Sequence, residues 1–250
     1  MLPVIYVIFL FELFSLTGAT DSGITGGKVS KPHSRPYMAS LQVHMNHVCG
    51  GILIREDFVL TVAHCYDPRG MTVVLGAHNI SRQEESQQRI PVAKYHQHPK
   101  YNQGMDYDIM LLKLRKKAKL NKYVKVMGLP KKNGKTPANI KCTVAGWGQT
   151  QDNGPSSKVL KEATEKIQFG SECKNKWQQY YNTGHMVCTK FDRKNGGICQ
   201  GDSGGPLICN SKPVGLAAYT LKSDCSDPKY PHVFTKIDAF LPWIKEIMKA

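Results

Sequence analysis

Apolar and β-branched residues come in short runs along this chain, at residues 38–43, 51–54, 58–62, 71–75, 110–114, 141–145 and 213–218. Turn formers separate them, as in Gly76-Ala77-His78-Asn79 and Asp152-Asn153-Gly154-Pro155. Many short strands with no helices between them predict an all-β sandwich or barrel. The period changes only at the end. Phe240, Trp243, Ile244, Ile247 and Met248 recur at helical spacing, which predicts an amphipathic C-terminal helix over residues 239–249. Pro242 falls in its first turn, where a missing N–H is tolerated. No internal repeat or low-complexity linker interrupts the pattern.

The first residues obey a different rule. Leu2 to Phe11 are apolar apart from the Tyr6 hydroxyl, Glu12 breaks the run, and Thr17-Gly18-Ala19 offers small residues for cleavage. This predicts a secretory signal peptide over residues 1–19, although no Lys or Arg marks its start. No stretch reaches ~18 uninterrupted apolar residues, so no membrane-spanning helix is expected. Export gives eight cysteines (Cys49, Cys65, Cys142, Cys173, Cys188, Cys199, Cys209 and Cys225) an oxidising setting, and four disulfides are expected. A zinc site is the alternative, but no Cys-x-x-Cys or close Cys/His cluster has ligand spacing. Neither metal nor cofactor is expected.

Composition narrows the class without choosing a function. Of 250 residues, 41% are hydrophobic, enough for a sizeable core and too many for intrinsic disorder. Lys and Arg number 34 against 19 Asp and Glu, a formal charge of +15. Residues 1–23 hold Glu12 and Asp21 and no base, so the chain beyond them carries 34 against 17, or +17. Nucleic acid, anionic lipid or acidic polysaccharide could meet such a face.

Chemistry concentrates in three segments. Cys199-Gln200-Gly201-Asp202-Ser203-Gly204-Gly205-Pro206 sets one serine in a glycine-rich bend, where backbone N–H groups can converge beside the hydroxyl. Leu60-Thr61-Val62-Ala63-His64-Cys65 places a histidine beside a cysteine at a strand end. Asp108-Ile109-Met110-Leu111-Leu112 places a carboxylate at the mouth of an apolar strand. Singly, each has an ordinary reading: a turn serine, a surface histidine, a strand cap. Together they supply a nucleophile, a base and an orienting anion.

On these residues the chain resembles the chymotrypsin-like serine proteases of trypsin fold, over everything after residue 23. The landmarks Ile24-Thr25-Gly26-Gly27, Ala63-His64-Cys65, Asp108-Ile109-Met110-Leu111, Gly146-Trp147-Gly148 and Gly201-Asp202-Ser203-Gly204-Gly205-Pro206 occur in that family's order. Within the family, Pro32-His33-Ser34-Arg35-Pro36-Tyr37-Met38-Ala39-Ser40, Gly76-Ala77-His78 and Lys119-Leu120-Asn121-Lys122-Tyr123-Val124 are similar to granzymes A and K. The resemblance implies an all-β protease domain over residues 24–250. It comprises two six-stranded antiparallel β-barrels, about 24–125 and 126–236, and a C-terminal helix over about 237–250, with the active site between the barrels. It pairs Cys49–Cys65, Cys142–Cys209, Cys173–Cys188 and Cys199–Cys225. It makes His64 the base for Ser203, Asp108 the orienter, and the N–H groups of Gly201 and Ser203 the oxyanion donors. Asp202 would take a salt bridge from the new amino group of Ile24, leaving the uncleaved precursor inactive.

No Lys or Arg precedes Ile24, so a trypsin-like activator has nothing to recognise. A signal ending at Ala19 leaves Thr20-Asp21-Ser22-Gly23 as propeptide, and four residues suit an activating dipeptidyl peptidase working in two-residue steps. The primary (S1) pocket departs further. Gly197, followed by Ile198, stands where trypsin-like members, granzymes A and K included, have Asp. Burying a substrate Lys or Arg without a partner costs about 2–7 kcal/mol or more, which speaks against tryptic specificity. Asp224 belongs to the loop beside Cys225. Thr220 and His232 replace usual glycines, and Ala218 a usual serine. Three readings stay open. Thr220 and Ile198 narrow the pocket for a small or medium uncharged residue, or His232 meets a substrate carboxylate, as a basic residue at the matching position does in granzyme B. Otherwise the pocket is obstructed and cleavage is feeble. His232 could also be buried and bonded to backbone. An alternative of another class is a catalytically weak or silent homologue that binds anionic glycosaminoglycan or microbial surfaces.

Position then gives the charge a meaning. Between Ile109 and Gln151 there are eleven Lys and Arg and no acid, and seven of the eleven fall from Lys113 to Lys125. No motif or stacking pattern supports nucleic acid. For a granule-type protease, sulfated proteoglycan or heparin is the expected partner, held by a salt-sensitive attraction. Asn79-Ile80-Ser81 is a glycosylation sequon. Family pairing leaves no cysteine for an intersubunit bridge, so a monomer is expected. The sequence therefore points to a secreted serine endopeptidase, held in a cytoplasmic secretory granule before release, acting on proteins or peptides.

Overall fold

The computed structural model describes residues 24–131, 134, 136–192, 196–222 and 224–249. The expected signal peptide and propeptide lie outside the described residues. A two-residue strand β1 (Lys28–Val29) opens the described chain. Six strands follow: β2 (Met38–Val43), β3 (Asn46–Arg55), β4 (Phe58–Thr61), β5 (Thr72–Leu75), β6 (Gln88–Gln97) and β7 (Met110–Leu114). They close in the order β2-β3-β4-β7-β6-β5, with β2 and β5 antiparallel in register Ala39↔Leu75 to Gln42↔Thr72.

The second barrel uses β8 (Lys141–Gly146), β9 (Lys161–Ile167), β10 (Met186–Lys190), β11 (Pro206–Cys209), β12 (Lys212–Tyr219) and β13 (His232–Lys236). Its order is β9-β10-β13-β12-β11-β8, and β8 pairs back onto β9 to close it. The two six-stranded antiparallel barrels implied by the resemblance are thus present. β1 adds to β9, so the first described strand belongs to the second barrel.

Each barrel closes because the inner faces of its strands are apolar and have no other place to bury. Leu41, Ile52, Leu60, Val73, Ile90 and Leu112 fill the first, all at most 1% exposed. Burying each such side chain contributes about 1.5–3 kcal/mol. Val144, Leu207, Phe234 and Ile24 fill the second. Helix α2 (Leu241–Lys249) starts two residues after the expected position, because Ile237–Phe240 forms a 3₁₀ turn first. Its Leu241 and Ile244 pack with the first barrel's core, so the C-terminus straps the second barrel to the first.

One helix stands between the strands where none was expected. Helix α1 (Gly170–Trp177) buries only Cys173, which bonds Cys188 on β10. The other disulfides are Cys49–Cys65, Cys142–Cys209 and Cys199–Cys225, and no cysteine is free.

Candidate active site

The chain brings His64, Asp108 and Ser203 to one cleft between the barrels, of about 360 Å³. His64 lies in the 3₁₀ turn Ala63–Cys65 that follows β4. Asp108 is 4% exposed and lies two residues before β7. Tyr107, at φ 55°, turns the chain into that position. One Asp108 oxygen accepts the His64 backbone N–H at 2.9 Å, and the other faces His64 Nδ1 at 2.7 Å. The imidazole is therefore fixed with a proton on Nδ1 and Nε2 free to accept one. Thr235 Oγ1 donates to the Asp108 carbonyl at 2.8 Å, tying β13 of one barrel to the strand start of the other.

Ser203 sits in the bend before β11. Gly201 at φ 91° and Gly204 at φ 79° take backbone conformations that side chains resist. Space forbids a side chain at Gly204 as well, since a Cβ there would collide with Thr61 Oγ1. The Ser203 carbonyl accepts Gly50 N–H at 2.7 Å, and Gly204 N–H donates to Ala217 at 2.8 Å, so the bend is anchored to both barrels. Asp202 points inward, 1% exposed, accepting Gly148 N–H at 2.8 Å and Cys199 N–H at 3.0 Å. Gly146 and Gly148 leave the room for it: a Cβ on Gly148 would lie 2.5 Å from the Asp202 carboxyl carbon. Burial pushes the Asp202 carboxyl up to about 7 against those two N–H bonds.

Comparison with known proteins agrees with this geometry. Residues 24–244 match the family model described as Trypsin. The chain belongs to the trypsin family. It is 43% identical over 249 residues to granzyme B of Rattus norvegicus, covering 97% of this chain and 98% of that one. Granzyme E of Mus musculus is 46% identical over 249 residues, at 97% and 98% coverage. The solved structure of neuropsin from mouse superposes with a TM-score of 0.81 at 34% identity, covering 89% of this chain and 98% of that one. The protein is a serine endopeptidase.

Around Ser203, the expected pocket residues separate into two layers. Ile198, Ala217, Ala218 and Thr220 line the cleft with His64, Asp108 and Ser203, and exposed Lys222 stands at its edge. Among the described residues, neither Gly197 nor His232 belongs to that lining. Gly197 backs onto a buried layer: a Cβ there would lie 2.5 Å from His232 Cε1 and 2.8 Å from Glu165 Oε1. His232 is 1% exposed, with Nδ1 at 3.0 Å from Glu165 Oε1 and Nε2 at 2.9 Å from the Cys225 carbonyl. Desolvation works against its charge, but Glu165 and the Cys225 carbonyl outweigh that and hold the imidazole above its ordinary value.

Ile24 is wholly buried in the second barrel's core with Ile198. Thr25 accepts Gly197 N–H at 2.9 Å, so the start of the domain leans on the segment behind the cleft. Asn79 is half-buried, and its side-chain oxygen accepts Ser81 N–H and Oγ–H at 2.9 and 2.8 Å. Sequence reasoning missed His47, Glu165, Thr235 and Lys222. Only His47 had a signal that could have marked it, two residues before Cys49 in the segment that leads to the nucleophile's anchor Gly50.

Proposed function

We propose that the mature chain is a secreted, granule-type endopeptidase that cleaves after small or medium uncharged residues. The carrying observation is that His64, held by Asp108, shares one cleft with Ser203 and with Ile198, Ala218 and Thr220. His64 takes the Ser203 proton as Oγ attacks the substrate carbonyl. Gly201 and Ser203 N–H groups receive the oxyanion, each donor worth about 10²–10³ in rate. His64 then protonates the leaving amine, and water releases the acyl group by the same steps. The engagement of both His232 nitrogens by Glu165 and Cys225 favours an uncharged substrate residue over an acidic one.

Activation, on this reading, is removal of Thr20-Asp21 and then Ser22-Gly23 by a dipeptidyl peptidase. The new Ile24 amine pairs with Asp202 and keeps the nucleophile bend in place. The granzyme names of the rat and mouse relatives support granule storage. A sulfated proteoglycan is the storage partner. The exposed Arg115, Lys116, Lys119, Lys122 and Lys125 support it, whereas Lys113 is bonded to Asp57 at 2.6 Å and Lys117 to Glu56. Carbohydrate on Asn79 and a monomeric state complete the proposal.

Fluorophosphonate labelling combined with N-terminal sequencing tests it. Labelled chains should begin at Ile24, stored precursor should begin at Thr20 and resist the label, and Ser203→Ala should lower kcat by about 10⁵-fold or more. A mature chain that takes no label is instead a silent, surface-binding homologue.

A further inference from the structure

Behind the cleft floor lies a polar cluster with no contact to the triad. Glu165 on β9 has a fully buried side chain and receives three donors. They are His232 Nδ1 at 3.0 Å, Ile198 N–H at 3.0 Å and Thr189 Oγ1. Accepting from all three of these groups among the described residues, Glu165 acts as a carboxylate. His232 has an acceptor at each nitrogen, the Glu165 carboxylate and the Cys225 carbonyl. Facing a carboxylate and a carbonyl, the ring donates from both nitrogens as a cation; a neutral ring would need the proton on Glu165 Oε1 instead, and the ring's N–H count distinguishes the two. The two charges cancel inside the protein, against the Cα of Gly197.

We propose that Glu165 is a specificity-determining residue: it supplies from within the fold the carboxylate that His232 would otherwise take from a substrate, and so closes the pocket to acidic side chains. This rests on the peptidase reading above. An acidic residue reaching past the cleft lining towards Gly197 meets a cation whose charge and both N–H groups are already engaged. To bind, it must displace Glu165, and that leaves a buried carboxylate with a partner lost. A basic residue fares no better, because His232 neutralises Glu165. An uncharged residue disturbs neither group.

Glu165→Gln tests the idea with little change of shape. The amide oxygen can still accept from His232 and Ile198, and the amide N–H₂ can donate to Thr189 once its hydroxyl turns. The mature enzyme and this variant are assayed below neutral pH on peptides that differ only in Glu, Asp or Leu at the cleavage position. The ratio of kcat/KM for Glu to that for Leu should rise by about tenfold or more in Glu165→Gln, and the rise should vanish when His232→Gln is added. An unchanged ratio in a variant that still cleaves the Leu peptide overturns the proposal. A second measurement needs neither variant nor turnover. Nitrogen-15 NMR of the wild-type chain at neutral pH should show two ring N–H protons on His232, and a ring with one overturns the proposal. Absence of cleavage and of fluorophosphonate labelling in the wild type would instead strike the peptidase reading.

Discussion

His47 faces Ser40 Oγ from Nδ1 at 2.8 Å and the Gly201 carbonyl from Nε2 at 2.9 Å, with Trp147 against its ring at 5.8 Å. The carbonyl can only accept, so Nε2 carries the proton and Nδ1 accepts from the serine. Burial holds the imidazole down to about 4, despite the pull of the Gly201 carbonyl, which keeps the ring neutral in ordinary solution. Its position matters because it anchors the carbonyl of Gly201, the residue whose own N–H is proposed as an oxyanion donor. Anchoring one face of Gly201 fixes the direction of the other. We expect His47→Phe to lower kcat by about 10- to 100-fold with KM almost unchanged, since an oxyanion donor acts only in the transition state. A loss that fell on KM alone would sink this assignment. Both His47 and Glu165 show why the sequence is partly mute at this scale. Each acts on a partner far along the chain, 154 residues away for His47 and 67 for Glu165 with His232, and no local pattern encodes such a meeting. That His64, Asp108 and Ser203 belong together was legible because each sits beside a strand end or glycine bend with its own local pattern.

Strands β8, β9 and β10 carry a row of lysines in register. Lys141 lies opposite Lys166, and Lys166 opposite Lys190, all three exposed. They line a depression of about 710 Å³ that also takes in Phe191, Pro228 and one carboxylate, Asp192. Like charges directly opposite on a sheet cost stability, so this row is a repulsion held in place by the barrel. Lys166→Glu should convert it into two attractive pairs and stabilise the protein by about 0.5–1 kcal/mol at low salt. A denaturant titration reads this, and the gain should shrink at high salt. The same variant should leave a heparin column at lower salt if the row shares in binding polyanions. No gain in stability at low salt would refute the repulsion. This element also marks where hydropathy stopped working. β9 reads Lys161-Glu162-Ala163-Thr164-Glu165-Lys166-Ile167, yet Lys161 and Glu165 are on its buried side. A strand whose inward positions are charged shows no apolar alternation, and α1, with one buried residue, shows no stripe. β2, β4 and β7 were legible because nearly every position in them is apolar and enclosed.

At the scale of the whole molecule, the activation proposed above makes cleavage before Ile24 and the ionisation of Asp202 one linked event. In the uncleaved chain Asp202 is buried, bonded to two backbone N–H groups, and its carboxyl is pushed up from 3.8 to about 7. A folded value above the unfolded one means that the folded chain holds an extra proton between them. The stability this contributes is complete below pH ~4 and is lost as pH rises through about 7, at about 1.4 kcal/mol per pH unit. Above that window the precursor carries an ionised carboxylate held by the Gly148 and Cys199 N–H groups, with no salt bridge to it among the described residues. Cleavage supplies the missing cation. An amine titrates near ~8 unless paired, so between pH ~4 and ~8 the mature chain can hold Asp202 as an ion pair and escapes the loss. Comparing the two forms in a Ser203→Ala background removes self-digestion and cancels every other titrating group common to both, His47 among them. The difference in unfolding free energy between mature chain and precursor should widen steadily from pH ~4 to about 7, hold level to pH ~8, and narrow above that as the unfolded amine loses its proton. A difference that stayed flat across this window would show that Asp202 does not answer to the Ile24 amine, and the activation mechanism proposed for this enzyme would fall with it.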